Sequence, residues 1–175
     1  MTTPTLYIFS GLPGSGKSTL AQALAQQTGA VYLRIDTVEQ ALRDLCQFQV
    51  EGEGYRLSYR IASDNLKLGL DVIADSCNPI QLTRDEWQSV ASQVGANYIN
   101  IEIACSQREE HQRRVETRLS PIANLVLPTW QQVVERHYEP WSNTAESRKV
   151  IHIDTAGQSI EASSAALFQQ LKLTQ

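Results

Sequence analysis

Residues Gly11 to Thr19 read GLPGSGKST, with Gly11, Gly16, Lys17 and Ser18 in the fixed places of the spacing G-x-x-x-x-G-K-[ST]. That spacing constrains the fold because it carries a meaning only between a strand and a helix. Both flanks fit. Thr5 to Ser10 (TLYIFS) is a β-rich apolar run, and Thr19 to Thr28 (TLAQALAQQT) is rich in alanine and leucine at helical spacing. Strand, glycine loop and helix together predict a phosphate-binding P-loop. Backbone N–H groups can wrap a polyphosphate only where side chains do not intrude and unusual dihedrals are allowed, as at Gly11, Gly14 and Gly16. The helix then turns the positive end of its dipole toward the anion. The expected nucleotide contacts are Gly11, Pro13, Gly14, Ser15, Gly16, Lys17, Ser18 and Thr19, with Lys17 reaching the β- and γ-phosphates and the Ser18 hydroxyl on Mg²⁺. ATP and Mg²⁺ are the expected cofactors.

The rest of the chain repeats the alternation. Strands are predicted at Ala30 to Ile35, Leu70 to Ala74, Asn97 to Ala104 and Lys149 to Ile153. Between them helical spacing runs from about Asp36 through Leu45, over Tyr55 to Leu68, Thr83 to Val94, Ser106 to Leu119 and Pro128 to Tyr138, and it closes the chain at Ser159 to Leu173. Leu57, Ile61, Ala62 and Leu68 are available for a core face, and Thr83 with Glu86 has the spacing of a capping box. Strands alternating with helices predict an α/β fold, a three-layer α/β/α sandwich around a five-stranded parallel sheet, with ligands at the C-terminal strand edge. One domain over 1–175 is expected, with a lid at 106–127.

Composition sets outer limits. At 175 residues the chain can bury a sizeable core, and its net charge of -4 leaves no general basic footprint for nucleic acid or an anionic membrane. No apolar run reaches the roughly 18 residues of a membrane span. The start, MTTPTLYIFSGLPG, lacks the basic segment and cleavage site of a signal peptide, so a cytoplasmic protein is expected. Cys46, Cys77 and Cys105 are far apart and odd in number, and read as reduced thiols in or near the core.

A second tier of residues turns the loop into a reaction. Asp36 lies 19 positions after Lys17, at the end of the predicted second strand, where a carboxylate can take the proton of an acceptor hydroxyl or cap the next helix. Asp75 ends the third strand, a place for a carboxylate that orients Mg²⁺ or its waters. Ser76 and Asn78 are candidates for the acceptor pocket. In the helix from Ser106, His111, Arg114 and Arg118 share a face, which would let the two arginines close over phosphates; Glu110 with Arg114, and Glu109 with Arg113, are equally spaced as ordinary surface pairs. Tyr55, Arg56, Tyr59 and Arg60 fit an amphipathic helix better than an acceptor site. His137 and His152 lack metal-ligand spacing. Asp154 to Gln158 (DTAGQ) resembles the switch of small GTPases, but no Asn-Lys-x-Asp guanine reader occurs and only 17 residues follow, so a loop where adenine could rest is the better reading.

With these residues in place, the chain resembles the small P-loop kinases of the AAA_33 type, related to polynucleotide kinase, chloramphenicol phosphotransferase, zeta toxin, gluconate kinase and adenylylsulfate kinase. The carriers are GLPGSGKST, Asp36 in YLRID, Asp75 in VIADSCNP, and the arginine helix EEHQRRVETR from Glu109 to Arg118. The resemblance implies ATP with Mg²⁺ in the loop, a base at Asp36, and lid arginines at Arg114 and Arg118. It departs from polynucleotide kinases, whose Asp-Asp-x-x-Arg run is replaced here by Asp36-Thr-Val-Glu-Gln40, and from the Asp-Gly-Asp-Asn of adenylylsulfate kinases.

The expected function is transfer of the γ-phosphoryl group of ATP to a hydroxyl of a small molecule, with Lys17, Asp36, Arg114 and Arg118 catalytic, and Ser18 and Asp75 holding the metal. The acidic balance argues against a nucleic-acid partner, and no membrane partner is expected. An ATPase switch acting on a protein partner, or a nucleic-acid end kinase, are the alternatives. The oligomeric state and the acceptor are not legible.

Overall fold

A computed structural model describes residues 3–141 and 149–173. Its centre is a parallel sheet of five strands, β1 (Thr5–Ser10), β2 (Val31–Arg34), β3 (Val72–Asp75), β4 (Asn97–Ala104) and β5 (Val150–Asp154), in the order β2-β3-β1-β4-β5. The helices α1 (Lys17–Thr28), α2 (Ile35–Cys46), α3 (Glu53–Lys67), α4 (Gln81–Gln93), α5 (Arg108–Thr117), α6 (Trp130–Val134) and α7 (Ile160–Gln170) fill the connections. The expected three-layer α/β/α sandwich is present.

Period-two alternation along β1 explains the two layers of core. Leu6 and Ile8 point to one face, where they meet Ala62 and Leu66 of α3 and Trp87, Val90 and Ala91 of α4. Tyr7 and Phe9 point to the other, against Leu20, Ala21 and Leu24 of α1 and Leu167 of α7. A strand covered on both faces must be apolar throughout, which is why Thr5 to Ser10 reads as a continuous apolar run. The register then aligns Arg34, Asp75 and Phe9 across three neighbouring strands, so the ends of β2, β3 and β1 open onto one edge.

Several local expectations change. Helix α3 buries Gly54, Ser58, Ala62 and Leu66, a stripe of mostly small residues four apart, and leaves Leu57, Ile61 and Leu68 exposed. The small stripe lets α3 approach α2 so closely that a Cβ on Gly54 would collide with the Glu39 side chain. Hydrophobicity alone favoured the other face; proximity to α2 decided it. Leu45, at the end of α2, is likewise exposed. Thr83 does not cap α4, which begins two residues earlier, and its hydroxyl donates to the Ile80 carbonyl. The helix start is served instead from far along the chain, where Glu139 Oε2 accepts from the Gln81 N–H at 2.7 Å, while Glu86 accepts from the Tyr59 hydroxyl. Strand β2 stops at Arg34, which places Asp36 in the first turn of α2. All three cysteines are free, as expected, but Cys46 is exposed rather than near the core. Among the described residues no helix is long and apolar enough to cross a membrane.

Candidate active site

The loop between β1 and α1 owes its shape to two glycines that nothing else could replace. Gly11 has φ 141° and a Cβ there would run into the Ile103 carbonyl of β4. Gly14 has φ 83°, and a Cβ would lie 2.5 Å from Val115 Cγ2 of α5. The loop is pinned on three sides. Gly11 N–H donates to the Cys77 carbonyl beyond β3 at 3.1 Å, His111 Nε2 lies 2.9 Å from the Pro13 carbonyl, and the Thr155 hydroxyl donates to the Ser15 carbonyl at 2.7 Å. Helix α1 then begins at Lys17 with no side chain capping it, so its first N–H groups face the loop unoccupied by protein. An open N-terminus on a helix of 12 residues, behind a glycine loop, is a ready anion seat.

Lys17 reaches across to β3, where its Nζ lies 2.9 Å from Asp75 Oδ1. The other oxygen, Oδ2, accepts from the Tyr32 hydroxyl of β2 at 2.7 Å. Burial alone would lower the Lys17 ammonium, but the Asp75 charge and the hydrogen bond to it raise it above its ordinary value. Burial alone would raise the Asp75 carboxyl; the Lys17 charge, with hydrogen bonds from Tyr32, Lys17 and Ser18, outweighs that and holds it below the ordinary carboxylate range. Both groups are therefore charged at neutral pH, and each compensates the other's desolvation.

A cleft of about 860 Å³ opens over this pair. It is lined by Gly11, Pro13, Gly14, Gly16, Lys17, Ser18 and Thr19 of the loop, by Asp36 and Arg34 from the β2 edge, and by Arg114, Arg118 and the 119–128 segment. Ser15 sits beneath the loop, buried, with its hydroxyl unpartnered among the described residues. Of the residues anticipated from sequence, Lys17, Ser18, Asp36, Arg114 and Arg118 thus share one cavity, whereas Asp75 is buried behind Lys17 and does not line it. Asp36 projects into it with its side chain 55% exposed and Arg34 Nη2 at 3.8 Å.

Other expectations are relocated. Ser76 and Asn78 do not line the cleft; Asn78 is fully buried and its amide donates to the Phe9 carbonyl at 2.7 Å. Tyr55 and Tyr59 serve packing. The Tyr55 hydroxyl accepts from the Asn78 N–H, and the Tyr59 ring stands edge-on to Trp87 at 4.6 Å. Arg114 is already engaged, donating to the Thr155 hydroxyl (2.7 Å), the Thr155 carbonyl (2.9 Å) and Glu110 (2.6 Å). The 154–158 loop is consequently bound to α5, with Gly157 N–H donating to Glu110 at 2.8 Å and the Asp154 carboxylate taking the Ser106 N–H. Thr155 and Gln158 still border the cleft.

Sequence reasoning missed Arg34, Tyr32, Thr155 and Arg136. Arg34 and Arg136 line the cleft, while Tyr32 and Thr155 position its parts. A threonine inside a five-residue loop, or an arginine one turn past a short helix, carries no spacing that marks it. Arg34 alone was legible, standing two residues before Asp36 on the same strand edge.

The chain belongs to AAA_33, a family of AAA domains, whose sequence profile matches residues 6–140. No curated protein sequence matches it. Among solved structures it is similar in fold to a gluconokinase from Sinorhizobium meliloti, with 15% identity, 98% of this chain and 96% of that one covered, and a TM-score of 0.64. It is similar also to Kti12 from Chaetomium thermophilum in complex with ADP-AlF3, with 21% identity, 95% and 97% covered, and a TM-score of 0.70. The APS kinase CysC of Mycobacterium tuberculosis in complex with AMPPNP and APS covers 98% of this chain and 99% of its own at 16% identity, TM-score 0.65. The three-layer α/β/α P-loop fold anticipated from the loop and from the alternation of strands and helices is therefore the fold that this chain shares with them.

Proposed function

We propose that this single domain is an ATP-dependent phosphotransferase that moves the γ-phosphoryl group to a hydroxyl of a small molecule and works in the cytoplasm. The observation that carries the reading is the placement of Asp36 in the same cleft as the P-loop and Lys17, with room beside it for a second substrate. The nucleotide complexes of Kti12 and of the APS kinase support ATP as the donor.

In this reading the amides from Gly11 to Thr19 and the Lys17 ammonium hold the polyphosphate. Asp36 accepts the acceptor's hydroxyl proton as that oxygen forms its bond to the γ-phosphorus and the β–γ bridging bond breaks, leaving ADP. Arg118 faces the transferring group. Arg114 holds the 154–158 loop against α5 and can turn toward the phosphates only by releasing Thr155. The residues fit Mg²⁺, because Ser18 and Asp75 are oxygen donors of the type it takes. When bound, Mg²⁺ neutralises charge on the phosphate oxygens; Asp75, whose oxygens already accept from Lys17 and Tyr32, suits a metal-bound water. The segment 106–127 serves as the lid, with α5 seated on Gly14 and the loop after it bordering the cleft.

The test is transfer of label from γ-labelled ATP into a panel of hydroxyl-bearing compounds, read as organic phosphate against inorganic phosphate. Label in an organic ester that disappears in Asp36→Asn sustains the proposal. Label found only in inorganic phosphate makes the chain an ATPase, and preferential label in oligonucleotide ends makes it a nucleic-acid kinase.

A further inference from the structure

Six cationic side chains line the cleft, Lys17, Arg34, Arg43, Arg114, Arg118 and Arg136, against two acidic ones, Asp36 and Glu39, in a chain whose net charge is -4. Three of the cations have partners within hydrogen-bonding distance: Lys17 on Asp75, Arg114 on Glu110 and Thr155, and Arg43 on Glu39 and Gln40. Among the described residues Arg34 and Arg118 have no such partner, and Arg136 lies against the Cys77 thiol. The Arg34 side chain is only 14% exposed, and its nearest carboxylate oxygens, on Asp75 and Asp36, stand at 3.8 Å, outside hydrogen-bonding distance. The Nε atoms of Arg34 and Arg118 are both buried without a hydrogen-bond partner among the described residues, an arrangement that costs free energy unless something fills it. Burial lowers the Arg118 guanidinium from its ordinary value; Asp36 opposes this, and the neighbouring charges of Arg34 and Arg136 add to it. Three guanidiniums have thus been gathered around Asp36, with Glu39 and Asp75 as the other nearby carboxylates.

The nucleotide does not account for this surplus. Its phosphates belong to the loop at the end of β1, whereas Arg34 ends β2, two strands away in the order β2-β3-β1, and the Arg34 guanidinium faces Asp75 Oδ2 while Lys17 takes Oδ1. Guanidiniums with fixed, forked donors recognise phosphate and carboxylate groups by paired hydrogen bonds. We propose that the acceptor alcohol carries its own anionic group, a phosphate, sulfate or carboxylate, seated by Arg34 and Arg136 beside Asp36, next to the Arg118 that faces the transferring group. This rests on the phosphotransferase reading and narrows its acceptor to anionic alcohols.

The test is calorimetric titration of the full chain, saturated with Mg²⁺ and AMPPNP so that the P-loop is filled, with sulfate, inorganic phosphate or acetate, against chloride at matched ionic strength. Saturable binding of one anion per chain is expected. Arg34→Gln and the more exposed Arg136→Gln should each weaken it by about tenfold or more, the loss of a charge-assisted pair, and leave AMPPNP affinity within about twofold. If Arg34→Gln fails to fold, Arg136→Gln carries the same test. Preference for sulfate and phosphate over acetate assigns a tetrahedral ester, and the reverse assigns a carboxylate. Anion binding no better than chloride, or arginine variants that lose AMPPNP and keep the anion, would overturn the proposal. The readout needs no turnover, so the two readings fail separately. Label transferred to neutral alcohols without anion binding sinks the inference and spares the kinase. Anion binding with label only in inorganic phosphate sinks the kinase, and with it the acceptor role.

Discussion

The two halves of the cleft are built on opposite terms. On the P-loop side both cations and two loop carbonyls have protein partners, Lys17 with Asp75, Arg114 with Thr155 and Glu110, the Pro13 carbonyl with His111, and the Ser15 carbonyl with Thr155, and the polar groups left open are the Ser15 hydroxyl and the first N–H groups of α1. On the β2 side Arg34 and Arg118 keep buried donors unpartnered among the described residues, and Asp36 stands half exposed among them. A satisfied network is rigid and holds one geometry, which suits a donor that never changes. Buried cations without partners favour an anion that completes their hydrogen bonds, and in the proposed reading they would select the acceptor. In that reading the partnered half would supply geometry and the other half selectivity.

The sharpest break in that contrast is Lys17→Ala. It should reduce phosphoryl transfer by about a thousandfold or more in the labelled-ATP assay, because the developing charge loses its fixed cation. It should also destabilise the chain by about 3 kcal/mol in denaturant titration, since Asp75 is left buried with its charge. Adding Asp75→Asn should restore much of the stability and none of the activity; a stable single variant would show that the pair holds nothing in place.

On the other side of the cleft, Asp36→Asn should lower kcat by about a hundredfold or more with less than about 1 kcal/mol change in stability, as expected of a general base on an open helix turn. A large stability loss with normal kcat would make Asp36 only a helix-terminal charge. Thr155→Val tests the tie between the 154–158 loop and the P-loop. Removing a hydroxyl that donates to Ser15 and accepts from Arg114 should cost about 1–3 kcal/mol and weaken ATP binding several-fold by equilibrium titration, with the anion affinity of the β2 side unchanged.

The smallest effect is expected with pH. Because the folded-state Asp75 carboxyl lies below its ordinary value, its contribution is present above about pH 4 and is lost as pH falls through the lowered folded value. The stability of wild type should therefore decline below about pH 4 more steeply than that of Asp75→Asn, measured by urea midpoints. Parallel acid limbs would deny the Lys17–Asp75 pair its part.

Much of the fold was legible because its signals are local. The loop spacing, the apolar run of β1 and the alternation of β4, whose bounds match the expectation residue for residue, each follow from backbone geometry within a few positions. Helix faces were less legible. Leu57 and Ile61 satisfy a helical period as well as Ser58 and Ala62 do, and only contact with α2 and the sheet separates them. The start of α4 escaped for the same reason, its cap being Glu139, 58 positions away.

The site divides along that line. Nine residues of sequence determined the phosphate loop, the helix behind it and the lysine, because glycine dihedrals and a helix dipole act over one or two turns. Asp36 and Asp75 were visible as acids at predicted strand ends. Arg118 was read from its helix face, but that Arg34 and Arg136 join it beside Asp36 was decided by tertiary structure. Arg34, Arg118 and Arg136 come from the end of β2, the end of α5 and the segment after α6, and no spacing within the chain records that three distant guanidiniums converge. Charge acts through space, and only the fold sets those distances.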